Sequence, residues 1–431
     1  MKKHLIIVIS LVLISVFALS ACGGMADIAS IVSNQLESAQ AASEALTQAV
    51  PPALDAESVG GLSKPKSELS SITSGSELLA AYENALMNVY EMVGPQVVNI
   101  MVQTDTNPGD LQNIPGLEDM PDLQIPEFNQ GLGSGFIWDT NGNIVTNNHV
   151  VDGATEIMVT FSDGTSVLAS VVGTDPYSDL AVIKVDASAD LLNPVTLGDS
   201  NQLKVGEIAI AIGNPFGLDG TMTVGNVSAL GRSLPSSRVD LNSGATYSIP
   251  LVIQTDASVN PGNSGGVLVN DLGEVIGVTF AIESATGSSA GIGFAIPAQI
   301  VEKVVPSLIT NGKYEHPYLG ISGNDMTPDI AEAMNLPVDT RGALVQQVSP
   351  GGPAEKAGLQ PSKTTVTING VDGTVGGDVI TAIDGQLIKN MSDIIAYLAI
   401  QTQVDQTVKL TVLRDGETQI VDVTLGSRPT Q

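Results

Sequence analysis

One cysteine in 431 residues, Cys22, leaves no intrachain disulfide to staple this fold. Stability must therefore come from buried apolar surface. Histidine is almost as scarce. The three present, His4, His149 and His316, are scattered, and with a lone N-terminal thiol they make no zinc-ligand set. No metal is expected. Lysine and arginine together number 17 against 46 aspartates and glutamates, a formal charge of −29, so the chain lacks the basic surface that phosphate backbones require. Nucleic acid is excluded as a partner, and anionic headgroups should repel this surface. Beyond residue 21 no apolar run is long enough to span a bilayer. No G-x-x-x-x-G-K-[ST] loop occurs, and Gly131-Leu132-Gly133-Ser134-Gly135 is followed by Phe136 where a dinucleotide loop needs its third glycine. No nucleotide cofactor is implied, and no cofactor of any kind is expected.

What the N-terminus does contain is an export pattern. Met1-Lys2-Lys3-His4 leads into apolar residues 5–21, a basic head on an apolar body. The run ends in Leu19-Ser20-Ala21-Cys22, which resembles the bacterial lipobox, so residues 1–22 are expected to be a lipoprotein signal peptide with Cys22 as the lipidated residue. The alternative, a retained signal anchor, leads to the same place, with the rest of the chain outside the cytoplasm on a membrane tether. Residues 23–75, rich in Ala, Ser and Glu and broken by Pro51-Pro52 and Pro65, read as that tether.

The length allows two or three domains. A helix is predicted over 77–92, with Tyr82, Leu86, Val89 and Tyr90 on one face. From residue 97 onward the pattern changes to short β-branched runs punctuated by Gly, Asn and Asp. One group falls at 97–102, 135–138, 144–146, 157–161, 167–172 and 181–185, and a second at 208–212, 221–230, 251–255, 266–269, 275–281 and 293–296. Two such groups predict two antiparallel barrels. Residues 107–130, with four prolines and no Lys or Arg, interrupt the first as a long acidic insertion. A closing helix is predicted over 297–312, burying Ile300, Val301, Val304 and Val305.

Chemistry concentrates at Asn260-Pro261-Gly262-Asn263-Ser264-Gly265-Gly266. A serine hydroxyl attacks a carbonyl only if a base takes its proton and N–H groups hold the charge on oxygen. Ser264 is the candidate nucleophile, with the N–H groups of Gly262, Asn263 and Ser264 as an oxyanion hole. Of the histidines only His149, in Asn147-Asn148-His149-Val150-Val151, lies in predicted core, and Asp179, flanked by apolar residues, is the best orienter for it. Base and acid fall in the first barrel and the serine in the second, so the site should lie in the cleft between them. Two decoys fail. Gly262 to Gly266 also fits G-x-S-x-G, but a strand pattern follows where the α/β-hydrolase elbow needs a helix. Asp139-Thr140-Asn141-Gly142-Asn143 mimics a calcium loop but has Ile144 at the glycine position and Val150 where Glu should close it, so it reads as a hairpin turn.

The ordered blocks TNNHVVDGA (146–154), SDLAVIKV (178–185), GNPFGL (213–218), TVGNVSALGR (223–232), IQTDASVNPGNSGG (253–266) and GIGFAIP (291–297) resemble the signature blocks of HtrA (Deg) serine proteases, over roughly 82–428. The resemblance implies a mostly β, chymotrypsin-like double-barrel protease domain over 76–312, with His149 as general base, Asp179 as its orienter and Ser264 as nucleophile. Val267 departs from the proline usual in the family. GALVQQVSPGGPAEKAGL (342–359), GGDVITAIDG (376–385) and VKLTVLRDGE (408–417) resemble a PDZ domain, placed at 313–428 as an α+β module. In that fold the N–H groups of Leu319, Gly320 and Ile321 receive a peptide's terminal carboxylate while the peptide adds a strand to a sheet edge. Residues 361–375 are longer than usual there. The resemblance further implies a homotrimer, a regulatory role for the 107–130 insertion and a specificity pocket bordered by 279–282 and 290–293. No charge lies at the 278–281 edge and Glu283 lies just beyond it, and the resemblance implies a preference for small or medium aliphatic residues before the cut. The expected activity is an ATP-independent endopeptidase of the bacterial cell envelope, acting on unfolded or damaged polypeptides. The alternative is a catalytically silent PDZ-bearing holdase or scaffold.

Overall fold

The structure, a computed structural model, describes residues 75–105, 128–215, 217, 220–239, 246–280 and 291–429. The signal and lipidation reading, the tether, and nearly all of the 107–130 insertion lie outside these residues. Helix α1 (Gly75–Val93) covers the predicted first helix; it buries Val89 and Val93 and leaves Leu78, Leu79 and Met87 exposed.

The first barrel closes as β1-β2-β3-β6-β5-β4, from β1 (Val97–Asp105), β2 (Phe128–Ile137), β3 (Asn143–Asn147), β4 (Glu156–Thr160), β5 (Ser166–Asp175) and β6 (Leu180–Val185). All six expected strands are present, and a short helix α2 (Asn148–Val151) follows β3. Asp139 makes the turn between β2 and β3 by accepting from the N–H groups of Asn141 and Asn143, with Gly142 at φ +88°, so the false calcium loop is a hairpin turn. The second barrel closes as β10-β11-β12-β9-β8-β7, from β7 (Ile208–Gly213), β8 (Thr221–Val239), β9 (Thr246–Thr255), β10 (Val267–Val269), β11 (Val275–Phe280) and β12 (Gly293–Pro297). Val145, Leu180 and Val182 of the first barrel share a core with Val267, Val269 and Val278 of the second. The seam strands are buried on both faces: alternate residues join the shared core, while their neighbours Ile144, Ala181 and Ile183 fill the first barrel and Leu268 and Ile276 the second.

Helix α3 (Ala298–Asn311) closes this unit. The four expected residues are all buried, and Gly312 ends the helix at φ +73°, returning its N–H to Leu308 O.

The remaining chain forms a five-strand path, β14-β15-β18-β20-β21, with β19 (Gln386–Leu387) pairing β18. Its strands are β14 (Ile321–Asp325), β15 (Ala343–Val348), β18 (Val379–Ile383), β20 (Thr407–Arg414) and β21 (Glu417–Thr424), and short helices α4 (Pro328–Ala333) and α5 (Pro353–Lys356) with the longer α6 (Met391–Gln401) pack against them. First and last segments meet where β13 (Pro317–Tyr318) pairs β22 (Gly426–Ser427). The lengthened stretch near 361–375 is a hairpin of its own, β16 (Thr364–Ile368) against β17 (Val371–Val375), turned by Asn369 and Gly370, both at positive φ. That is the two-residue turn that Asn-Gly favours. No helix among the described residues is long and apolar enough to cross a membrane.

Candidate active site

Register brings the base and its acid together. β3 pairs β6 with Asn147 opposite Leu180, so the residues just beyond each strand, 148 and 149 on one side and 179 on the other, are neighbours. Asp179 turns into β6 at φ +55°, a left-handed conformation that a non-glycine residue adopts at a cost and only when held. It is held by four bonds. Its carbonyl accepts from Asn148 N (3.1 Å) and Asn147 Nδ2 (2.9 Å), and its carboxylate accepts from His149 N (3.0 Å) and contacts His149 Nδ1 (2.7 Å). An ionised carboxylate can only accept, so Nδ1 carries the proton and Nε2 keeps its lone pair. The imidazole is about half exposed, 47%, and the carboxylate much less so, 14%. Burial pushes the imidazole's proton affinity down, but the hydrogen bond and the negative charge of Asp179 outweigh it, and the His149 pKa rises above its ordinary value.

The serine loop docks on the first barrel through Ser134 of β2. Ser134 N donates to Ser264 O (2.8 Å), and its hydroxyl donates to Gly262 O (2.6 Å) while accepting from Asn214 N (2.8 Å). Thr146 Oγ1 in turn donates to Ser134 O (2.7 Å). Gly265 lies in this seam at φ +85°, where a Cβ would stand 2.1 Å from Ser134 O and 2.3 Å from Thr146 Oγ1. Only glycine lets the chain after Ser264 lie against β2 and β3, two residues from the turn that carries His149.

Around the nucleophile the backbone has the signature of a type II turn. Pro261 stands at the second position, Gly262 at the third with φ +93°, and Asn263 N donates to Asn260 O at 2.9 Å. The Asn263 N–H of the expected oxyanion trio is thus engaged in closing the turn. Asn263 instead serves by its carbonyl, which accepts from Gly266 N (3.0 Å) and Thr279 Oγ1 (2.6 Å), while Gly265 N bonds Thr279 O (2.9 Å). Thr279 thus ties the loop to β11.

The expected pocket walls are only partly described, since 281–290, Glu283 included, lie outside the described residues. Of the remainder, Thr279 and Phe280 are buried, and Gly293 packs so closely on Val259 and Ala257 O that a Cβ would reach them at 2.8 and 2.9 Å. No charged side chain stands among these residues.

In the smaller module Leu319 is buried and Gly320 has φ +81°. The carbonyls of Leu319 and Gly320 accept from Ala354 N and Ser349 N, both at 2.9 Å, the second bond continuing the β14–β15 pairing into this loop. β14 is an edge strand and α6 packs beside it, capped by the Asn390 side chain accepting from Asp393 N. Strand edge and helix define a groove. Among the described residues no group of three His, Cys, Asp or Glu side chains is placed to hold a metal ion.

Sequence reasoning passed over Ser134 and Asn147 and expected Thr279 only as a pocket border, whereas their side chains bond Gly262 O, Asp179 O and Asn263 O. It also left His316 as a boundary residue, whereas His316 Nε2 lies 2.7 Å from the buried carboxylate of Asp175.

Residues 133–278 match the trypsin-like peptidase domain model and 317–425 the PDZ domain model. The chain is 41% identical over 319 residues to the chloroplastic protease Do-like 1 of Arabidopsis thaliana, covering 74% of this chain and 69% of that protein. It is 38% identical over 348 residues to the periplasmic pH-dependent serine endoprotease DegQ of Escherichia coli (strain K12), covering 79% and 70%. Among solved structures, the HtrA-type protease AlgW with a tripeptide superposes with a TM-score of 0.61 at 35% identity, over 80% of this chain and 98% of that one.

Proposed function

Because the chain belongs to the HtrA (Deg) family of trypsin-like serine endoproteases carrying a PDZ domain, we propose that His149, Asp179 and Ser264 are its catalytic triad. The observation that carries this reading is the pairing of His149 Nδ1 with Asp179 at 2.7 Å at the end of the β3–β6 pair, beside the β2–β3 seam to which Ser134 fastens the Ser264 loop. Ser264 Oγ attacks the scissile carbonyl carbon as its proton passes to His149 Nε2. Asp179 balances the imidazolium, and the N–H groups of Gly262 and Ser264 hold the charge that forms on oxygen. The imidazolium protonates the leaving amine, and a water molecule then repeats the sequence to free the acyl group.

Substrate preference follows from the walls. Val259, Phe280 and Gly293 offer no charge, which favours a small or medium aliphatic residue before the cut. A peptide C-terminus adds to β14, its carboxylate received by the N–H groups of Leu319, Gly320 and Ile321. The absence of a nucleotide motif supports ATP-independent cleavage of unfolded chains, and the export pattern with Cys22 supports a lipid-anchored enzyme outside the cytoplasm, in line with a relative named as periplasmic. A homotrimer fits the exposed apolar residues Leu78, Leu79 and Met87 of α1.

Labelling with a fluorophosphonate probe alongside unfolded-casein digestion tests the assignment. Wild type should label and digest, and Ser264→Ala should do neither, with kcat down about 10⁶-fold. If both proteins merely keep casein soluble and neither cleaves it, the holdase reading replaces this one. Cys22→Ala should move the protein from the membrane fraction to the soluble one; retention at the membrane removes the lipidation assignment.

A further inference from the structure

The loop 175–179 joins β5 to β6 and presents Asp179 in its strained conformation. Its other end is organised by Asp175, whose carboxylate is almost wholly buried at 2% exposure. Two of that carboxylate's donors come from the loop itself, Tyr177 N (3.2 Å) and Ser178 Oγ (2.5 Å). The donor from outside is His316 Nε2 at 2.7 Å, from the segment between α3 and β13. A buried carboxylate needs such a partner to remain ionised in place.

The grip does not end there. The His316 ring meets Tyr177 and Tyr314 edge-on, with centroids 5.4 and 4.7 Å away, and Asp175's charge adds to burial in pushing the Tyr314 phenol up to about 12. Tyr177 OH donates to Pro429 O (2.9 Å), the Arg428 guanidinium lies 4.9 Å over the Tyr177 ring, and Arg428 N donates to His316 O (2.9 Å). His316 immediately precedes β13 and Arg428 immediately follows β22, the pair that joins the first and last strands of the PDZ domain. Both ends of that domain therefore hold the loop that carries the proposed triad acid.

We infer that His316 and Asp175 are positioning residues for catalysis: the interdomain segment, through the His316–Asp175 bond, fixes the loop that aims the Asp179 carboxylate at His149. The inference rests on the reading of Asp179 as the triad orienter. It differs from peptide capture on β14, because its effect falls on turnover rather than on binding.

The test uses the full chain and a short chromogenic peptide amidated at its C-terminus, so that the PDZ groove has no carboxylate to receive. His316→Ala should lower kcat about tenfold with KM within twofold, the size expected when an orienting contact near the reacting groups is lost. His316→Gln keeps an N–H donor for Asp175 and should restore most of the rate. Tyr177→Phe, which loses the hydroxyl's bond to Pro429 and keeps the ring, should lower kcat in the same direction by less, and serves where His316→Ala does not fold. In an Asp179→Asn background His316→Ala should cost nothing further. A folded His316→Ala enzyme with wild-type kcat, or a Gln variant no better than Ala, overturns the inference while leaving the triad standing. If Asp179→Asn itself leaves kcat unchanged, the triad reading falls instead.

Discussion

At the residue scale, the His149 environment sets the pH dependence. Its pKa is raised, so the neutral base appears only above the ordinary imidazole range near 6.5, and the acidic limb of kcat/KM should lie there. Asp179→Asn removes the raising hydrogen bond and charge and leaves the burial that lowers, so the limb should move to lower pH while kcat falls about 10⁴-fold. A pH–rate series on both proteins reads both effects. The same shift also acts on stability. Protonated His149 is favoured in the native state, so this contribution is complete below about 6.5 and is lost as pH rises through the raised native value. Ser134→Ala is the sharper stability probe. It leaves the N–H of Asn214 and the carbonyl of Gly262 without a partner in a dry seam, which should cost about 1–3 kcal/mol in urea unfolding. The residues proposed as the triad could be singled out in the chain because histidine is so rare and glycine so dense around Ser264. Ser134, Asp175 and His316 were not, since their roles exist only once distant segments meet. That the Asn263 N–H closes a turn was not legible either, since a sequence does not tell which N–H a turn uses for itself.

At the element scale, helix α6 is tied to the protease body at its end. Lys303 of α3 donates to the carbonyls of Ala399 (2.7 Å), Ile400 (3.1 Å) and Thr402 (2.8 Å), a cation set against the negative end of the groove helix. Burial pushes that ammonium below its usual lysine value. Lys303→Met should therefore cost about 1–2 kcal/mol and speed amide exchange in the last turn of α6, as hydrogen exchange would report. Inside the PDZ domain, Arg414 binds both carboxylate oxygens of Asp378, which has no exposed surface and also accepts from Gln360 N. Arg414→Ala strands that charge and should cost about 3–5 kcal/mol, visible as a lowered unfolding midpoint for this domain. Strand positions and helix ends were readable from β-branched runs and apolar spacing alone, and α3 follows its prediction closely. The hairpin 364–375 was visible only as extra length, although Asn369-Gly370 carried a turn signal that was passed over.

At the scale of the whole molecule, a charge of −29 sets long-range steering that no single contact records. Cleavage of a basic unfolded substrate should slow as salt rises from about 50 to 500 mM, and that of an acidic one should not, since screening shortens the field to a few ångströms. Rates on the two substrates across a salt series decide this. Closure of both six-stranded barrels has a separate consequence. A closed barrel presents no free rim onto which a foreign strand could add. The main sheet of the smaller domain does have two, β14 at one end and β21, which carries Glu417 and Asp422, at the other. Topology thus narrows the places among the described residues where a half-folded polypeptide could pair with this protein's own sheets.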